Sequence, residues 1–65
     1  MKVRITPEGR EFEMSAKNVK ELIGQLDLNE EEVIIIDLDK QSLLTPDVRL
    51  HPDQKIEIRR IISGG

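Results

Sequence analysis

Lys55-Ile56-Glu57-Ile58-Arg59-Arg60-Ile61-Ile62-Ser63-Gly64-Gly65 closes the sequence, and its first half decides the fold. Ile56 and Ile58 alternate with Glu57 and Arg59, the period-two pattern of a strand that buries one face. Arg60-Ile61-Ile62 breaks that phase, which predicts that regular pairing ends or bulges there. The glycines that follow carry chemistry rather than fold. Two residues without Cβ can lie extended in a channel too narrow for side chains and bring a carboxylate into a second protein's active site. Ser63-Gly64-Gly65 also has the composition of a linker remnant or truncation scar.

Upstream of this strand, Val3 and Ile5 alternate with Lys2, Arg4 and Thr6. Pro7-Glu8-Gly9-Arg10 then supplies turn residues, and Phe12 and Met14 alternate with Glu11, Glu13 and Ser15. That pattern predicts an opening β-hairpin. Val19, Leu22, Ile23 and Leu26 stand at i, i+3, i+4 and i+7, the stripe of an amphipathic helix. Its start has two candidate caps, Ser15, or Asn18 with Glu21 three residues on as a capping box. Gly24 inside the helix is costly, so its presence predicts close packing against a sheet. Asn29 with Glu30, Glu31 and Glu32 predicts a short capped turn. Val33-Ile34-Ile35-Ile36 then runs apolar without alternation, as in a strand covered on both sides or central in a sheet. A turn over Asp37–Lys40, a short strand over Gln41–Leu44, a break at Thr45-Pro46-Asp47 and a turn at His51–Gln54 lead into the final strand. One helix and four or five strands fit a two-layer α+β arrangement, a mixed sheet with the helix across one face. Residues 1–61 form one domain in this reading, and 62–65 form a flexible diglycine tail.

Composition narrows the function. A chain of 65 residues buries only about 60% of its unfolded surface, so its core must be compact. The absence of cysteine excludes disulfides, thiolate metal sites, persulfide relays and thiol nucleophiles. Phe12 is the only aromatic residue, which argues against base stacking. Interleaved charges of both signs and a net charge of −3 give no sign of a nucleic-acid partner. No apolar run approaches the roughly 20 residues of a membrane span, and the expected compartment is the cytoplasm.

The order of hairpin, helix, strands and a last strand running into Gly64-Gly65 resembles the ubiquitin-like β-grasp superfamily, and within it the small sulfur carriers. The resemblance spans the chain. Ser15-Ala16-Lys17-Asn18-Val19-Lys20 looks like the helix entry of ubiquitin-like proteins, and Lys55–Gly65 resembles the ending of ThiS, MoaD and the archaeal small modifiers. Ser63 departs from the basic residue expected there in the archaeal modifiers. The resemblance implies a substrate of enzymes rather than an enzyme, with no cofactor bound to the chain itself. An E1-like adenylyltransferase would use ATP to adenylate the Gly65 carboxylate. A sulfurtransferase or other persulfide donor would then supply sulfur for a thiocarboxylate, or a target lysine would take the acyl group as an isopeptide. Downstream stand a thiolation enzyme for tRNA, thiamine or molybdenum cofactor synthesis, or a conjugation target. Gly64 gives passage through the partner's channel, and Arg60, Ile61 and Ile62 are candidate docking contacts, with ordinary burial as the alternative for the isoleucines. The competing reading is a β-grasp interaction module that binds non-covalently and makes no use of the C-terminus.

Other constellations carry less. Asp37 and Asp39 suggest a cation loop, but an EF-hand closes with glutamate at its twelfth position, and from Asp37 that position is Val48. His51 is the only histidine and sits beside Pro52 in a turn, so no zinc set or nucleophilic triad forms around it. Glu30–Glu32 reads as a solvated cap or a contact for a basic partner.

Overall fold

A computed structural model describes residues 1–61. Strands β1 (Lys2–Thr6) and β2 (Arg10–Glu13) form the hairpin, followed by helix α1 (Val19–Gln25) and a 3-10 turn over Glu30–Glu32. Strands β3 (Val33–Asp37), β4 (Ser42–Leu44) and β5 (Lys55–Arg60) complete a single sheet of order β2-β1-β5-β3-β4. β5 runs parallel to β1 and antiparallel to β3, while β1–β2 and β3–β4 are antiparallel. The architecture is α+β, with a mixed five-stranded sheet and one helix.

The register sorts side chains onto two faces. Phe12, Val3 and Ile56 align across β2, β1 and β5, and Ile5, Ile58, Ile35 and Leu44 align across β1, β5, β3 and β4. These residues pack with Val19, Leu22 and Ile23 of α1 and with Leu50 in one hydrophobic core. Val19, Leu22, Ile56 and Ile58 are fully buried, so the helix stripe and the alternation of the last strand meet in the same core. On the other face the sequence pattern places Glu57 outward, and it does leave the core side. It is nevertheless buried, because β5 is central and Arg59 folds over it, with Nε and Nη2 donating to Oε2 at 3.1 and 2.8 Å.

The helix is short, and its start is tied down donor by donor. Asn18, not Ser15, is the cap: its Oδ1 accepts from the Glu21 N–H at 2.8 Å. The Val19 N–H donates to the Val48 carbonyl and the Lys20 N–H to the Pro46 carbonyl. The segment after β4 thus supplies acceptors that a seven-residue helix lacks internally. At the far end the Leu28 N–H reaches the Ile23 carbonyl and the Asp27 N–H reaches the Gly24 carbonyl, with Asp27 left-handed at φ 55°. That is a Schellman stop, which favours glycine at the left-handed position. Gly24, expected to mark close packing, is instead exposed, with nothing within 4 Å of a Cβ built there. Two strand limits also differ from expectation. β2 ends at Glu13, although the Met14 N–H still donates to the Met1 carbonyl, and β4 begins at Ser42 because Gln41 is left-handed at φ 52°.

Gly24→Ala combined with Asp27→Gly therefore places each residue where its backbone preference lies. The double variant is expected to raise the unfolding free energy by about 1–2 kcal/mol in urea titrations. Unchanged or lowered stability would show that one of the two positions has a packing role.

Candidate functional site

The end of β5 is where the sequence places its candidate residues. Arg60 is the last residue of the strand and pairs with Val33 of β3. Its Nε lies 3.6 Å from Glu8 Oε2 in the β1–β2 turn, while Arg59 is held by Glu57, so both arginines stand beside carboxylates. Ile61 follows immediately, and its N–H donates to the Glu32 carbonyl at 2.8 Å. This bond carries the β3–β5 ladder one position beyond the strand. The Ile61 residue itself is 52% exposed. Leu28, Asn29, Glu32, Val33, Arg60 and Ile61 line a groove of about 210 Å³ at this exit. The acidic turn is built by Asn29, whose Oδ1 accepts from the Glu31 N–H at 3.0 Å, and it brings Glu32 against the departing chain. Ile62, Gly64 and Gly65 lie outside the described residues.

The outer sheet face reads as a row in register: Glu11, Arg4, Glu57, Ile36, Leu43. Charge occupies the β2, β1 and β5 side, where Arg4 Nη2 meets Glu11 Oε1 at 3.0 Å. Aliphatic side chains occupy the β3 and β4 side, and Leu43 is 72% exposed. A lone exposed leucine is ordinary, but one beside half-buried Ile34 and Ile36 forms the apolar end of a mixed surface.

Several polar groups prove structural. Asp37, read from sequence as the first residue of a turn, is the last residue of β3 and only 2% exposed. Its Oδ2 accepts from Gln54 Nε2 at 2.9 Å, and Oδ1 accepts from the N–H groups of Asp39 and Lys40 at 3.0 and 3.1 Å. Gln54 Oε1 in turn accepts from the His51 N–H at 2.6 Å, so one carboxylate ties together the turn that precedes β4 and the turn that precedes β5. The Gln54 amide, then the Lys40 N–H, hold the Asp37 carboxyl below the usual carboxylate range; burial opposes them, and the Asp39 N–H and the Lys40 charge assist. The signal in sequence is the Asp-x-Asp-Lys order, a carboxylate able to cap two following amides, but the distant Gln54 leaves no such trace. The Thr45 hydroxyl donates to Asp47 Oδ1 at 2.6 Å and, with the Asp47 N–H, lowers that carboxyl too. A carboxylate held that way is a weak base for the hydroxyl beside it. His51 is exposed in its turn, and among the described residues no three His, Cys, Asp or Glu side chains gather as a metal set. No helix among the described residues is long and apolar enough to cross a membrane.

No protein-family model matches the chain, and no curated protein matches it. What the chain does must therefore be argued from its own geometry. The described site is a strand end held by its ladder and flanked by ion pairs, from which the chain departs at an exposed isoleucine.

Two substitutions separate the site from the scaffold. Ile61→Asp is expected to leave the unfolding free energy within about 0.5 kcal/mol of the parent, as for other exposed positions, whereas Ile58→Ala costs about 2–4 kcal/mol. A large loss for Ile61→Asp in urea denaturation would make Ile61 a core residue. Asp37→Asn is expected to cost about 1–3 kcal/mol, because an amide facing Gln54 leaves either that contact or the His51 N–H unpartnered. Since its folded pKa is depressed, the stability Asp37 contributes is complete above the unfolded value, about 3.9, and drains away as pH falls through the lower folded value. That acid-side slope should flatten in Asp37→Asn, and an unaltered slope would remove Asp37 from the account.

Proposed function

We propose that this chain is a β-grasp sulfur carrier or ubiquitin-like modifier, acting through its Gly65 carboxylate. The observation that carries the reading is the placement of β5. The last strand is the central one, paired on both sides, and it leaves the sheet at Arg60 into the exposed Ile61. The sequence that follows Ile61 is Ile62-Ser63-Gly64-Gly65, whose two glycines suit a channel too narrow for side chains. A mixed sheet with parallel β1 and β5 and a helix packed on one face supports the β-grasp assignment.

The chemistry belongs to the partners. A carboxylate resists nucleophiles at neutral pH, and joining it to AMP turns one of its oxygens into part of a leaving group. The E1-like adenylyltransferase provides ATP and releases pyrophosphate. A partner persulfide then displaces AMP from the acyl carbon, and a partner thiol cleaves the resulting S–S bond to leave a thiocarboxylate on Gly65. With no cysteine of its own, this chain has no thiol on which to carry sulfur. A lysine amine attacking the same activated carbon gives the isopeptide outcome. Gly64 admits the tail to the channel, while Arg60 and Ile61, with Ile62, meet the activating enzyme around its entrance.

The reading is tested by incubating the chain with ATP, a cognate activating enzyme and a sulfur donor, then measuring intact mass. Exchange of one oxygen for sulfur at Gly65 is expected, and about 100-fold slower activation of Gly64→Val. No exchange, or full activation of Gly64→Val, would contradict the carrier role or the channel role respectively. A second reading, a non-covalent interaction module, is favoured by the exposed Leu43 and the aliphatic end of the outer sheet face. A short extension after Gly65 abolishes carrier function and spares simple binding, so it separates the two.

A further inference from the structure

Strand β4 covers only part of its neighbour. Its ladder with β3 runs from Asp37 and Ser42 to Ile35 and Leu44 and stops there, although β3 begins at Val33. The Ile61 N–H bonds the Glu32 carbonyl and the Leu38 N–H bonds the Lys55 carbonyl, so the even-numbered residues of β3 direct their backbone groups to β5. The Val33 carbonyl, like those of Ile35 and Asp37, is directed to the β4 side. The pairing stops at Leu44; Pro46, two residues on, has no N–H, and its carbonyl accepts from the Lys20 N–H of α1 at 3.0 Å, so the chain has left the line of β4 there. Among the described residues, no ladder donor faces the Val33 carbonyl.

A groove of about 250 Å³ opens at this gap. Its walls include Val19 and Ile23 of α1, Val33 and Ile34 of β3, and Leu43 and Pro46, and Glu30 is its charged lining residue. The two sheet edges differ in kind. β2 carries Arg10, Glu11 and Glu13, charges that discourage pairing with a foreign strand, whereas Ser42-Leu43-Leu44 carries none.

We propose that this notch takes an extended segment of a partner protein, which continues the line of β4 and donates a backbone N–H to the Val33 carbonyl. The segment seats an aliphatic side chain against half-buried Val33 and Leu44 at the mouth of the groove and carries a lysine or arginine beside Glu30, whose turn is acidic throughout. A second copy of this chain is the poorer fit, because two three-residue edges bury far less than the roughly 1,200 Å² of a stable association. The notch uses nothing beyond Ile61 and is independent of the C-terminal chemistry.

The test is an amide-shift titration of the isotope-labelled protein with a capped heptapeptide of alternating valine and lysine. Saturable shifts at Val33, Ile34, Leu43, Leu44 and Ile23 are expected. A twin peptide N-methylated at its central residues should bind about tenfold more weakly, the effect of losing one or two backbone hydrogen bonds. Glu30→Lys should weaken binding about threefold. The proposal is overturned by the absence of saturable shifts at peptide concentrations on the order of 1 mM, by equal binding of the methylated twin, by shifts confined to Arg10–Glu13, or by self-association through Leu43 in place of peptide binding.

Discussion

The pairing of β5 between β1 and β3 is the constraint on which the rest of the structure depends. The hairpin and the β3–β4 unit never pair with each other, and only the last strand joins them. Ile56 and Ile58, both fully buried, put that strand at the middle of the core as well as of the sheet. The chain must therefore be complete to Arg60 before its two halves become one domain. Contacts so distant in sequence defer the reward of folding until late, which is the cost of a parallel β1–β5 pairing.

This constraint also gives the candidate site its character. A chain leaving an edge strand would start from the least protected part of a sheet, whereas this one leaves β5 at Arg60, the most protected. Glu57 and Arg59, Arg60 and Glu8, and the Ile61 bond to Glu32 extend that order to the point where the chain departs. On the carrier reading proposed above, an activating partner would meet a fixed platform at Ile61, which lowers the orientational cost of placing the segment that follows beside ATP. The surface around the exit divides labour in the same way, with paired charges over β1, β2 and β5 and aliphatic side chains over β3 and β4.

Much of the scaffold was legible because its signals are periodic. The alternation in Val3–Ile5 and Ile56–Ile58 and the stripe of Val19, Leu22 and Ile23 each report a buried face, and the structure joins those faces. What escaped was relational. Nothing local to Lys55–Arg60 announces that the last strand is central, so the burial of Glu57 could not be read from it. Gly24 looked like a packing residue because glycine in a helix is costly, yet it faces open space. Asp37 read as part of a turn, with no sign of its burial, because its partner Gln54 lies far along the chain, and Pro46 looked like a simple break. Its carbonyl caps the helix, and its missing N–H shortens β4. For the site, the strand end at Arg60 and Ile61 is where the broken alternation put it, while the chemistry assigned to Gly64 and Gly65 rests on residue type and resemblance.

The most direct measurement of the central claim is the mass spectrum of the C-terminal peptide of this protein recovered from its own host. The account predicts that Gly65 is the last residue and that part of the population carries sulfur in place of a carboxylate oxygen, or an isopeptide link from Gly65 to a lysine. A chain that continues past Gly65 in the mature protein, or one that ends there with the carboxylate never modified, would contradict it.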